Sequence, residues 1–247
     1  MKTRVFADQY EALFARPWPV WGAAILAAIT NVFLFALDRP FTASDGVRNW
    51  GDWVLTGVGV VKRADLIAPW LYSGSLLNLG VVAGALIGAL LSCQFALRVP
   101  ARGELVKGAA GGVLLGAGAT LAFGCNIGGF FSAVSALSLS GLGMMIGLGA
   151  GAFLGIRYLM WELQHRPTWS SGRSRTFLAP AANASRQPLV GLVLLALLLA
   201  LPFLYSQQGH GARGLFLLFG AAFGVIFQRS RLCLVRAFRE PFMTGDA

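Results

Sequence analysis

The stretch GAAGGVLLGAGATLAFGCNIGGFFSAVSALSLSGLGMMIGLGAGAFLGI, residues 108–156, runs for 49 residues without an Asp, Glu, Lys or Arg. A helix needs about 20 residues, each rising about 1.5 Å, to cross a hydrocarbon core about 30 Å thick. The block is therefore long enough to leave a bilayer and come back. Its first half is interrupted by Gly124, Cys125, Asn126, Gly128 and Gly129. Glycine is a weak helix former, so the spacing predicts two short helices meeting near Cys125 rather than one continuous span. Broken backbone at membrane depth leaves N–H and C=O groups that only protein or a water-filled cavity can satisfy. In transporters such a break points to a binding site.

Outward from this block the same pattern recurs. Uncharged runs cover Trp18–Leu37, Gly74–Leu97 and Pro188–Tyr205, and 56% of the 247 residues are hydrophobic against 12% charged. A soluble domain commonly spends about 25% of its residues on charge. The sequence thus predicts an all-α, polytopic membrane protein with discontinuous, short re-entrant helices that meet near the bilayer midplane. A last apolar run, GLFLLFGAAFGVIF, has only 14 residues. At about 1.5 Å per residue it covers about 21 Å and falls short of the far side. The arginines of QRSRLCLVRAFR would then begin inside or near the bilayer, where charge is costly and usually functional.

The net charge of +10 resides in short segments between apolar runs. That distribution reads as an orientation signal and not as a nucleic-acid surface. Residues 162–187 carry four Arg against one Glu, which places them on the cytoplasmic side. With a cytoplasmic N-terminus, the run 18–37 exits, 38–71 lies outside, and the following run returns to Arg98, Arg102 and Lys107. The amphipathic opening MKTRVFADQYEALFARP is followed by a run long enough to span, so the first helix reads as retained rather than as a cleaved signal. The chain divides in sequence into a transmembrane unit (1–161), a cytoplasmic linker (162–187) and a second transmembrane unit (188–247).

Three cysteines, Cys93, Cys125 and Cys233, form no CxxC pair and support neither a disulfide framework nor a zinc site. His165 and His210 have no carboxylate or cysteine at ligand spacing, so no metal, no cofactor and no hydrolase triad is expected. At Cys125 a short helix is expected to start with Asn126 as its cap, and its free N–H groups carry partial positive charge suited to an anion. The thiol adds a weak S–H donor. If QRSRLCLVRAFR is helical, Arg229 lies four residues before Cys233 and Arg236 three after it, on one face. Arg231 belongs to the same cluster. Guanidiniums beside a thiol attract anions and favour the thiolate. Each element also has a structural reading: glycine for close helix packing, cysteine as a small apolar filler. The fourfold repeats Gly80, Gly84, Gly88 and Gly143, Gly147, Gly151, Gly155 mark flat faces for close helix packing, within the chain or between subunits.

The stretches KGAAGGVLLGAGATLAFGCNIGGFFSA and FGVIFQRSRLCLVRAFREPFMTGD resemble the YeeE/YedE family of sulfur-compound transporters. The resemblance implies two related halves, each with a glycine element and an arginine element, and a central constriction where cysteines pass thiosulfate along by S–H contacts. By position, Cys125 matches the cysteine of the glycine element and Cys233 that of the arginine element, while Cys93 has a loose counterpart on the preceding helix. The order departs from the family pattern: residues 1–160 resemble the second half and 189–247 the opening of the first. One glycine element with its cysteine is missing.

These readings lead to a multi-pass permease of a bacterial cytoplasmic membrane. It would carry thiosulfate or a related small sulfur-containing anion without covalent chemistry, using Cys125, Cys233, Cys93, Gly124, Asn126, Gly128, Arg229, Arg231 and Arg236. Its expected partners are that anion, the lipid bilayer, a second half supplied by a partner chain or a homo-oligomer, and a cytoplasmic sulfur-carrier protein; nucleic acid is not among them. Two alternatives stay open: a membrane thiol-redox protein that pairs Cys125 with Cys233, and a non-conducting subunit of a larger transporter.

Overall fold

The computed structural model describes residues 14, 16–62, 65–165, 175–178 and 186–243. The described chain is almost entirely helical. Its helices are α1 (Val20–Leu37), α2 (Ser44–Gly57), α3 (Ser73–Leu91), α4 (Arg102–Leu121), α5 (Asn126–Ser135), α6 (Leu139–His165), α7 (Gln187–Gln207), α8 (Gly211–Ser230) and α9 (Leu234–Met243). Two short strands, β1 (Leu97–Val99) and β2 (Arg175–Leu178), pair antiparallel. Five helices are long and apolar enough to cross a membrane, and a sixth crossing results if α4 and α5 count as one broken span. This is the all-α polytopic architecture read from the sequence.

Packing groups the chain into two compact units, one of residues 1–95 with 180–232 and the other of 96–179 with 233–247. The linear division at 162–187 follows sequence, whereas these units interleave the two ends of the chain. Most of that linker, like residues 1–13 and the final 244–247, lies outside the described residues.

The first unit is built on a parallel pair, α3 and α8. Gly80 and Gly84 lie against the backbone of Leu217 and Ala221, and Gly220 and Gly224 against that of Leu77 and Val81. A methyl group at any of the four would meet main-chain atoms, so glycine is what allows the two backbones to touch. The packing face read from Gly80 and Gly84 is therefore real. α1 adds the buried stripe Ala23, Ala27, Asn31 and Leu34, and Phe41 just beyond it stacks on Phe223 with centroids 4.7 Å apart. The start of α1 meets the end of α8 through Trp18 N–H donating to the Arg229 carbonyl (3.1 Å). Gln187, at the start of α7, exchanges hydrogen bonds with the backbone of Phe95 beyond the end of α3 (3.3 Å). α1 and α7 thus run opposite to α3 and α8, which is the alternation the loop charges predict.

Residues 38–62 and 65–71 are tied to the first unit by polar contacts, because buried polar groups need partners. Asn31 Oδ1 accepts the Phe41 N–H (2.9 Å), and Asn78 Nδ2 donates to the Ala43 carbonyl (2.8 Å). Asn49 accepts from Ser75 Oγ (2.9 Å) and donates to the Ile67 carbonyl (3.0 Å). Arg39 joins Asp45 (2.9 Å) and Ser73 (3.1 Å). These bonds pin α2 over the start of α3.

The second unit holds α4, α5, α6, α9 and the β-pair. α6 runs antiparallel to α4, α9 packs on α6, and Phe130 of α5 meets Phe238 of α9 edge to face at 5.3 Å. Here the glycine face is not used within the chain: a Cβ at Gly143, Gly147, Gly151 or Gly155 would meet nothing within 4 Å, and neither would one at Gly108, Gly111, Gly112, Gly116 or Gly118 of α4. The stripe is present, but among the described residues no helix covers it.

Two further expectations change. The 14-residue apolar run is only the middle of α8, which extends from Gly211 to Ser230 and spans 20 residues. At about 1.5 Å per residue that is about 30 Å, enough to cross. Helical propensity does not stop at Arg213 or Gln228, so absence of charge underestimates the helix. Nor is QRSRLCLVRAFR one helix. Arg231 adopts φ 54°, ψ 26°, and α9 begins anew at Leu234. Arg229 and Cys233 therefore do not share a helical face.

Candidate functional site

Cys125 and Cys233 occupy the same local structure. α4 ends at Leu121, and Phe123 takes the left-handed conformation (φ 54°). Its N–H donates to the Thr120 carbonyl (3.4 Å) and that of Gly124 to the Ala119 carbonyl (2.9 Å), the paired bonds that close a helix C-terminus. Two residues after the left-handed position comes Cys125, extended at φ −80°, ψ 179°, and then α5. At the end of α8, Arg231 is left-handed, Cys233 follows two residues later, and α9 starts next. The carbonyl of each cysteine accepts the first bond of its short helix, from Gly129 N–H (2.7 Å) and Ala237 N–H (3.1 Å).

The extended residue ahead of α5 is Cys125 and not Asn126, which already lies inside the helix. No side-chain capping bond forms there, so the assignment of Asn126 as the cap is corrected. The first seven residues of α5, Asn126–Ser132, are π-helical. α4 and α5 bend by 46° at the break. Gly124 is buried, and a Cβ on it would come 2.7 Å from the Gly129 nitrogen. Glycine at 124 is thus required for the chain to turn back on itself. Gly128 and Cys125 are half-buried, and Cys233 is exposed. None of the three cysteines is in a disulfide.

The structure puts Cys125, Cys233, Gly124, Asn126, Gly128 and Arg236 in the second unit, and Cys93, Arg229 and Arg231 in the first. Cys93 follows α3 in a left-handed conformation of its own (φ 55°). Arg229 is buried, and its Nη2 donates to the Arg16 carbonyl, while its own carbonyl receives the Trp18 N–H. Arg236 bonds to Glu240 through Nε (2.6 Å), one turn along exposed α9.

A cleft of about 1170 Å³ opens between α4 and α6. Glycines from both helices line its walls, among them Gly118, Gly147 and Gly151; Phe123, Cys125 and Asn126 stand at one end, and Lys107 and Glu162 at the other. Leu114, Leu115, Leu148 and Leu159 stand between these glycines, so the walls are largely apolar, and the volume is large enough for a small solute. The Lys107–Glu162 ion pair was not singled out by motif reading. A signal existed: the two charges flank one uncharged block long enough to leave and return, and any such hairpin brings its ends together.

A sequence model of the family described as "Sulphur transport" matches residues 2–154. Among characterised sequences, the chain is 27% identical over 242 residues to the "Probable transporter YedE" of Salmonella typhimurium, covering 93% of this chain and 60% of that protein. It is 27% identical over 240 residues to the "Probable transporter YedE" of Escherichia coli K12, covering 92% and 60%. The chain thus spans about 60% of the length of these relatives. No solved structure matches it.

Proposed function

This chain belongs to the sulphur-transport family, the YeeE/YedE group its glycine and arginine elements resemble, and on that premise we propose that it is a membrane permease for thiosulfate or a related small sulfur-containing anion. The observation that carries this reading is the recurrence of one local design. A membrane-length helix ends in a left-handed residue, a cysteine follows, and a short helix begins, once at Cys125 beside an open cleft and once at Cys233. A thiol held ahead of a helix start offers a soft S–H donor next to backbone N–H groups that favour an anion. The glycine walls leave room for the solute, and the surrounding apolar helices exclude bulk water. Transfer by successive thiol contacts needs no bond to form or break. The protein would act in a cytoplasmic membrane with its N-terminus inside, handing its cargo to a cytoplasmic carrier.

The uncovered faces of α4 and α6 favour a second element in this reading. A further half, contributed by a partner chain or a second copy, would complete the pore. The test is uptake of labelled thiosulfate by cells that express the chain as their route for that sulfur source, compared with Cys125→Ala and Cys233→Ala. Loss of uptake in both variants supports the reading. Undiminished uptake in both removes it.

A further inference from the structure

At the end of the cleft remote from Cys125, the Lys107 ammonium and the Glu162 carboxylate form an ion pair. The Glu162 side chain is only 3% exposed and that of Lys107 26%, although the cleft opens directly beside them. A carboxylate buried to this degree is costly unless it is paired. α4 buries none of its side chains, so the pair is a principal hold of α4 on α6. The other end of α4 is the 46° bend at residues 122–125. α4 thus has this ion pair toward one end and a glycine-containing break at the other.

We propose that Lys107 is a second anion-binding position of the cleft, and that a small oxyanion arriving there displaces Glu162 and releases α4 from α6. The inference rests on the anion-permease reading above and gives that path its exit. A half-buried ammonium facing a buried carboxylate is best satisfied by an anionic partner. A dianion that replaces the carboxylate satisfies Lys107 at least as well as Glu162 does. The carboxylate then remains in a cleft whose other cation is Arg239 of α9. Glu104, one turn before Lys107 on α4, and Tyr158, one turn before Glu162 on α6, also line this end. The acidic pair Glu104 and Glu162 repels an anion until Lys107 engages it, so the end is closed when empty and open when loaded. Cys125 and Lys107 become two stations at opposite ends of one passage: a soft contact for sulfur and a hard contact for charge.

The test uses the full chain in lipid nanodiscs, titrated with sodium thiosulfate and with sodium sulfate against sodium chloride at equal ionic strength. Binding is read by calorimetry and by thermal shift. In Glu162→Gln the competing carboxylate is gone, and both dianions bind about tenfold tighter, a modest share of the coupling seen for close charge pairs. In Lys107→Gln saturable sulfate binding disappears. The double variant Lys107→Gln/Glu162→Gln keeps a neutral, hydrogen-bonding pair of similar shape, so it folds, and it still binds no sulfate. A purely structural tether gives the opposite pattern, with both single variants damaged alike and the double variant restored to wild-type behaviour; that result overturns the proposal. If Cys125→Ala abolishes thiosulfate uptake while the double variant binds dianions as the wild type does, the permease reading stands and the latch falls. If sulfate binds through Lys107 but thiosulfate is neither bound nor carried, the latch stands and the thiosulfate reading falls.

Discussion

Phe130 and Phe238 meet edge to face with their centroids 5.3 Å apart, and each stands five residues after a cysteine that precedes a short helix. The contact joins α5 to α9 at matching positions. Two segments more than a hundred residues apart in sequence thus carry the same design and touch through the same residue of it. The pairing holds the two short helices together, although of the two cysteines only Cys125 lines the cleft.

That contact has a measurable energy. Edge-to-face aromatic pairs contribute about 0.5–1.5 kcal/mol beyond the area they bury. A double-mutant cycle of Phe130→Leu and Phe238→Leu, read by reversible unfolding in mixed detergent micelles, should return a coupling of that size. Strict additivity would mean that the rings do not hold the two short helices together.

Glycines of the two units should respond with opposite sign. At Gly84 a methyl group would strike the Ala221 backbone, so Gly84→Ala should cost about 1–3 kcal/mol, the usual price of overpacking. Gly147 faces open space, and alanine there should add about 0.5–1 kcal/mol by helix propensity. Thermal melting of the purified variants checks both. Bulkier Gly147→Leu should leave melting intact yet block uptake, because that position lines the cleft.

Gly124→Ala should fail at the break itself. Its Cβ would press on the Gly129 nitrogen and Cα, where no flexible side chain can yield. Loss of about 1–3 kcal/mol is expected, together with a lower yield of folded protein in the membrane fraction, measured by size-exclusion fluorescence.

Arg231→Gly separates shape from charge. A left-handed residue with a Cβ costs roughly 1 kcal/mol, so glycine at φ 54° should raise the melting temperature. If the guanidinium also attracts the anion, uptake should fall even as stability rises. A parallel gain in both would leave Arg231 a backbone role alone.

Asn49→Ala should loosen the segment between α1 and α3. The side chain accepts from Ser75 and donates to the Ile67 carbonyl, and leaving these groups unpaired costs about 1–3 kcal/mol. Faster proteolysis within residues 58–70 in intact vesicles would report it.

Much of this molecule was legible from composition and spacing. A 49-residue block without charge is long enough for two crossings, and the cluster Gly124, Cys125, Asn126, Gly128 and Gly129 within it disfavours one regular helix. The break at 122–125 follows from those local facts. The end of α8 was not legible in the same way. Absence of charge marks the hydrocarbon-facing part of a helix, whereas hydrogen bonding continues through Gln228 and Arg229 until a left-handed residue ends it. Similarly, Gly80 and Gly143 open the same fourfold pattern, yet one stripe is packed and the other lines a cleft. By itself the sequence determined that the chain is a helical membrane protein with cysteines set at breaks, because hydrophobic length and helix propensity are local properties. Which glycine face is covered, which arginine holds the backbone of its neighbour, and that Lys107 meets Glu162 across 55 residues were decided only by the tertiary structure, because those depend on which helices come to lie side by side.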